Sequence, residues 1–281
     1  MVLVLLCLAC SQEAKALTTD GSWKGHLQWW PDGSRLVFTR IRQGKMEVAV
    51  VPAGGGEVAA LVKPAPNTPH FDAHPAPDGS RVAYVHDILQ GTDGKLHIYA
   101  CKADGTAAAS IIPHKAFEES PRWSPDGKKL AWVSTRDGNQ EIYLSLPDGS
   151  ETKRLTNHPA ADHHPAWSPD GRLIAFSSGR AGGESVHTLE VASGTLKRLA
   201  GGKGLEAWPA WSSDGKKVAF ARHQNGSFDI VSVELGQNRE STMVAGPDHA
   251  TFPAFSPDGR KLAFISDRTG STEVYLLPLS P

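Results

Sequence analysis

Two pairs of residues stand at a spacing that could do chemistry: Asp162 with His164, and Asp72 with His74. Residues i and i+2 of an extended segment share a side, so each pair would set a carboxylate beside an imidazole. Such a set suits a divalent transition metal (zinc, manganese or nickel) or a general base. Both pairs belong to recurring columns. One reads His26, His74, Ser120, His164, Trp208 and Phe252; the other, two residues earlier, reads Lys24, Asp72, Glu118, Asp162, Glu206 and Ala250. The metal expectation falls on His26, His74 and His164, although no HxH, HExxH or CxxC spacing accompanies them.

Opposite these columns lie Arg40, Arg136, Arg180, Arg222 and Arg268, with His86 in the second copy. The guanidinium fork matches a carboxylate at two points, so these arginines are expected to pair with the acids between loops and hold neighbouring units together. With His158, His163 and His249 close by, the candidate ligand-binding set is Asp72, His74, Glu118, Asp162, His163, His164, Arg180, Glu206, Trp208, Arg222 and His249. Trp208 and Phe252 would either plug the axis around which the copies are arranged or offer an apolar platform to a ligand, and plugging is the expectation.

The elements that must position these residues are written six times. The stretches Trp30-Pro31-Asp32-Gly33, Ala76-Pro77-Asp78-Gly79, Ser124-Pro125-Asp126-Gly127, Ser168-Pro169-Asp170-Gly171, Ser212-Ser213-Asp214-Gly215 and Ser256-Pro257-Asp258-Gly259 place their glycines 46, 48, 44, 44 and 44 residues apart. A period in this range marks an array of small units that cannot bury their own faces alone. Pro fixes φ for the second turn position and Gly supplies a positive φ, so each stretch is a tight turn between two strands. Behind it run Leu36, Val82, Leu130, Ile174, Val218 and Leu262, then a small column (Val37 and five alanines), then Phe38, Tyr84, Trp132, Phe176, Phe220 and Phe264. Apolar residues on both faces of a strand mean a sheet covered on both sides. The expectation is all-β: a six-bladed β-propeller of four-stranded antiparallel blades. The last copy lacks a fourth strand. Leu17 precedes Gly33 by the interval that separates Leu155 from Gly171, so the N-terminal strand 15–19 should complete the last blade.

The string Trp-Ser-Pro-Asp-Gly-(Lys/Arg), followed by Leu-Ala-Phe, Ser-x-Arg and Glu-Ile-Tyr, resembles the TolB-type (WD40-like) propeller repeat from Leu17 onward. The Trp-Asp dipeptide of WD repeats is absent. TolB itself carries an additional N-terminal α/β domain that engages membrane partners, and the expectation here is the propeller without it. The resemblance implies a non-enzymatic cell-envelope protein that binds a protein segment or small ligand on the face bearing the His, Arg and acid columns. It implies a monomer with a protein or peptide partner and no resident cofactor. The alternative, by analogy with propeller lyases of oligogalacturonate, is a metal-dependent polysaccharide lyase or hydrolase with its metal at the three histidines.

Other classes are excluded or weakened. Charge is balanced, 29 basic against 30 acidic residues, with no basic run for nucleic acid. No Gly-x-Ser-x-Gly is present for an α/β-hydrolase partner domain. Glu47, Glu141, Asp229 and Glu273 recur beside the third strand and read as exposed strand positions. Cys101 reads as a lone buried thiol on a third strand. Residues 1–16 read as a leader and 17–281 as the single propeller domain. Leu8-Ala9-Cys10-Ser11 resembles a bacterial lipoprotein signal with Cys10 as the lipidated residue, which would be the only membrane attachment; Ala14-Lys15-Ala16 is a rival cleavage site for a soluble periplasmic product.

Overall fold

The computed structural model describes residues 13–62, 68–88, 94–200, 204–237 and 239–280. Every regular element among them is a β-strand. The strands form six four-stranded antiparallel sheets, five of them in chain order from first to fourth strand and the sixth completed by the N-terminal strand. In blade 3 the four strands are Glu118–Trp123, Leu130–Ser134, Glu141–Ser145 and Lys153–Arg154. The six-bladed, all-β expectation is met.

The repeated columns explain the packing. Leu36, Val82, Leu130, Ile174, Val218 and Leu262 are fully buried, and so are the aromatic residues two positions later, from Phe38 to Phe264. Apolar clusters span neighbouring blades; one joins Leu27, Leu36 and Phe38 of blade 1 to Ala263, Ile265 and Val274 of blade 6. Tryptophans at the ends of first strands tie blade to blade with their indole N–H. Trp29 donates to the carbonyl of Ala254 at 3.0 Å, Trp167 to that of Arg122 at 3.0 Å and Trp211 to that of Ala166 at 3.0 Å. At the turns, a Cβ added to Gly127, Gly171, Gly215 or Gly33 would meet Pro77, Pro125, Pro169 or Pro257 of the preceding blade at 3.3–3.9 Å. Pro and Gly of the motif thus serve the next blade as well as their own turn.

The ring closes in blade 6. Lys15–Ala16 lies outermost, pairing with Glu273–Pro278 in the register Lys15↔Leu276 and Ala16↔Tyr275, and the Leu17 amide donates to the Val274 carbonyl at 2.7 Å. Thr18 then repeats the role of Thr156. Thr156 Oγ1 donates to Glu141 Oε2 at 2.6 Å and accepts the Ile142 amide at 2.9 Å; Thr18 Oγ1 donates to Glu273 Oε2 at 2.5 Å and accepts the Val274 amide at 3.0 Å. Lys24 Nζ lies 2.8 Å from Glu273 Oε2 and fastens blade 1 to blade 6. Ladder bonds begin at Lys15, upstream of the expected domain start at Leu17. Cys10 and most of the expected leader lie outside the described residues.

Glu47, Glu141, Asp229 and Glu273 are buried, not exposed. The regular spacing that suggested a solvated edge reflects a repeated anchoring role. Glu141 accepts from Thr156, Arg154 and the His158 amide, and so holds the chain where it crosses towards blade 4. Cys101 is buried as expected, and burial pushes its thiol up to about 12.

Candidate functional site

Each first strand is interrupted at the same place. The register shifts between Gly25 and Gln28, Phe71 and His74, Glu119 and Arg122, His163 and Ala166, Ala207 and Ala210, and Thr251 and Ala254. Within these bulges His26, Asp72, Ser120, His164, Trp208 and Phe252 take φ of 49–56°. A non-glycine residue there costs about 1–2 kcal/mol, and six at one level mark a position the fold enforces.

The bulge corrects the expected columns. All six positive-φ residues stand seven before the turn glycine, so the member from blade 2 is Asp72, not His74. His74 belongs one level closer to the turns, with Gln28, Arg122, Ala166, Ala210 and Ala254. The preceding column is Lys24, His70, Glu118, Asp162, Glu206 and Ala250. The bulge also breaks the i, i+2 rule, so Asp162 does not share a side with His164.

Glu118, Asp162 and Glu206 are instead buried inside their own blades. Glu118 accepts from Ser134 at 3.0 Å and Arg136 at 3.1 Å; Asp162 accepts from Ser178 at 2.6 Å and from Arg180; Glu206 accepts from Arg222 at 2.9 Å, whose other nitrogens grip Glu240. Arg136, Arg180 and Arg222 therefore pair with the acids within a blade and not between blades as expected, whereas Arg40 pairs with Glu47 of its own blade and with Asp20 in the segment that leads into it. Burial raises Glu118 to about 7 and raises Asp162 and Glu206 against the pull of their arginines. Neither His163 nor His249 lines the axial cavity, although His163 Nδ1 lies 2.8 Å from Nδ1 of His164, which does. His163 Nε2 is 2.9 Å from Glu184, and His249 Nδ1 accepts the Phe228 amide at 3.3 Å.

What remains at the axis is a cavity of about 290 Å³. Its lining runs from His26, His164, Trp208 and Phe252 of the bulge ring to the turn residues Pro31, Pro77, Pro125, Pro169 and Pro257. All of these prolines except Pro31 are exposed, so the cavity opens on the turn face, opposite the face expected to bind. Trp208 and Phe252 meet at its inner end. Their ring centroids are 4.4 Å apart, with His164 5.7 Å from Trp208 and His26 5.2 Å from Phe252.

The cavity wall is lopsided. Blades 1–3 contribute Gln28, His74 and Arg122; blades 4–6 contribute Ala166, Ala210 and Ala254 at the same level. Arg122 is the group sequence reasoning missed, although its departure from the small residues of later copies was visible. Arg122 Nη2 lies 2.8 Å from Asp72 Oδ1, and its Nη1 donates to the Pro121 carbonyl at 2.8 Å. Burial would raise the Asp72 carboxyl, but Arg122, His26 and Ser120 hold it well below the usual carboxylate range. Burial, then Arg122, lowers His74 to about 3; burial also lowers His26 and, further, His164. The three imidazoles are neutral at pH 7. Among the described residues no three His, Cys, Asp or Glu side chains are grouped to hold a metal.

The TolB beta propeller domain family matches residues 67–246 and 186–281. A TolB homolog of Chlorobium luteolum is 29% identical over 106 residues, 38% of this chain and 22% of that protein. The chain thus aligns with under a quarter of that relative's length. Among solved structures, a putative TolB from Agrobacterium tumefaciens superposes with a TM-score of 0.72 at 21% identity, covering 95% of this chain and 94% of that one. An oligogalacturonate lyase in complex with manganese superposes with a TM-score of 0.66 at 12% identity, covering 95% and 93%. At these identities the likeness is one of fold.

Proposed function

The chain belongs to the TolB beta-propeller family, and from that premise we propose a non-catalytic binding module of the bacterial cell envelope, whose axial cavity receives a segment of a partner protein or a small ligand. The observation that carries this reading is the lopsided cavity itself: concave, open at one end, with a few convergent polar groups facing an apolar wall. The acids and arginines that would otherwise suggest chemistry are spent on holding each blade together.

An envelope location draws on the apolar leader. The ladder through Lys15 and Ala16 favours processing at Cys10, because cleavage after Ala16 would remove two paired residues of the closing strand. The reading is tested by placing Trp at Ala210, which fills the cavity from its small-residue wall. Wild-type protein should enrich a specific partner or ligand from an envelope extract, and Ala210→Trp, with an unchanged circular dichroism spectrum, should not. Equal enrichment by both would move binding elsewhere on the molecule.

A further inference from the structure

We propose that the cavity takes a carboxylate carried next to an apolar group, with the carboxylate against Gln28, His74 and Arg122 and the apolar part against Trp208, Phe252 and the alanine wall. This rests on the cavity being the binding site and specifies the chemistry it selects.

The first argument is a charge census. Among the described residues Arg122 is the only Lys, Arg, Asp or Glu lining the cavity. Asp72 lies outside the lining, buried, and is occupied by Ser120 Oγ at 2.8 Å and by Arg122. Its role is to orient the guanidinium. Arg carries five N–H donors; the contacts to Asp72 and the Pro121 carbonyl leave others over and fix the fork before a ligand arrives.

The second argument is the direction of the neighbouring donors. His74 Nδ1 accepts the Trp123 amide at 3.3 Å, so the neutral ring carries its proton on Nε2. His26 Nδ1 lies 3.0 Å from Thr39 Oγ1, and that hydroxyl already accepts the Asp72 amide at 3.0 Å. A hydroxyl oxygen has a second lone pair, so this contact fits either tautomer of His26. Gln28 adds an amide with no hydrogen-bond partner among the described residues. An acceptor-only group with several lone pairs is what such a set satisfies, and a carboxylate is the common one.

The third argument is size and asymmetry. A volume of about 290 Å³ holds roughly ten water-sized groups at ~30 Å³ each, enough for one ring and a carboxylate. The indole of Trp208 and the ring of Phe252 offer the aromatic contact, and Ala166, Ala210 and Ala254 leave the room. Two sources carry this chemistry: a free aryl or alkyl acid, and the C-terminal residue of a polypeptide.

The experiment is calorimetric titration with 3-phenylpropionate, 3-phenylpropanamide, and N-acetyl-Ala-Phe as free acid and as amide. Each acid should bind at least tenfold more tightly than its amide. Gln28→Glu sets a like charge in the wall and should weaken acid binding at least tenfold with an unchanged melting temperature. Tighter binding of the peptide acid than of phenylpropionate assigns the site to a chain terminus, and the reverse assigns it to a small acid. Amides binding as well as acids, no acid binding at millimolar concentration, or indifference to Gln28→Glu would each overturn the assignment. Partner capture that Ala210→Trp abolishes, in a protein that binds none of these acids, would leave the binding reading standing and remove only the carboxylate.

Discussion

His70 stands edge-on to His86, with ring centroids 4.7 Å apart and planes at 70°, in the slot where blades 3, 4 and 5 set a carboxylate against an arginine. The two residues are cross-strand partners, as Glu206 and Arg222 are in blade 5. Burial, and then His86, lowers His70 to about 4. A His lowered on folding contributes stability that is complete above the unfolded value of about 6.5 and is lost as pH falls towards the folded value. Wild-type protein should therefore lose melting temperature between pH 6.5 and 4. The double variant His70→Glu with His86→Arg should lose less over that window. His70→Glu alone, a buried acid facing an imidazole, should be less stable than wild type at pH 7 by about 1–3 kcal/mol. Thermal melts at four pH values decide it.

Glu118 gives the opposite slope. Burial raises it to about 7 despite Arg136, so its stabilising contribution is present below the unfolded value of about 4.3 and is lost as pH rises through 7. Glu118→Gln should flatten the decline in stability between pH 5 and 8, measured by urea denaturation. An unaltered slope would refute the assignment.

Clasp residues should govern the ring as a whole. Lys24 is buried between Asp20 and Glu273, which lie 2.5 and 2.8 Å from its Nζ. Lys24→Met leaves Glu273 buried without its cation and should cost about 3 kcal/mol. Removing residues up to Leu17 exposes the edge of Glu273–Pro278 and should add self-association, visible by light scattering, to a lower melting temperature.

Two glycines of like φ should respond differently to alanine. Gly44 has φ +74° and open space around it, whereas a Cβ on Gly105, at φ +81°, would lie 1.8 Å from the Leu61 carbonyl oxygen. Gly44→Ala should cost about 1 kcal/mol, from backbone strain alone. Gly105→Ala must also part the first two blades and should cost several times more in chemical denaturation.

The three cavity histidines should not retain a metal. Dialysis against zinc or manganese followed by desalting should leave well under one equivalent by elemental analysis, because no three ligating side chains converge among the described residues. One equivalent, lost in a His26/His74/His164 triple alanine variant, would restore the catalytic alternative.

The fold was legible because it is repeated: Pro-Asp-Gly at a period of 44–48 residues and aromatic Phe38 to Phe264 in one column leave little choice. The closing strand was legible because Leu17 keeps the interval of Leu155. The site was less so. A bulge has no letter of its own, and only counting back from the turn glycine puts Asp72 level with His164 and His74 level with Arg122. The Asp72-His74 spacing matched Asp162-His164 by coincidence and drew both into one column. Burial of Glu141 and Glu273 was hidden because their partners, Thr156 and Thr18, are supplied by the strand that crosses to the next blade.

The tilted rings of His164, Trp208, Phe252 and His26 form a row of contacts along the inner end of the axial cavity. Under the proposed binding role, a ligand entering from the turn face would meet these rings tip first, so a long polymer would be read at its end. Towards the opposite face each bulge continues into its own first strand, where the adjoining residues include Glu119 and His163.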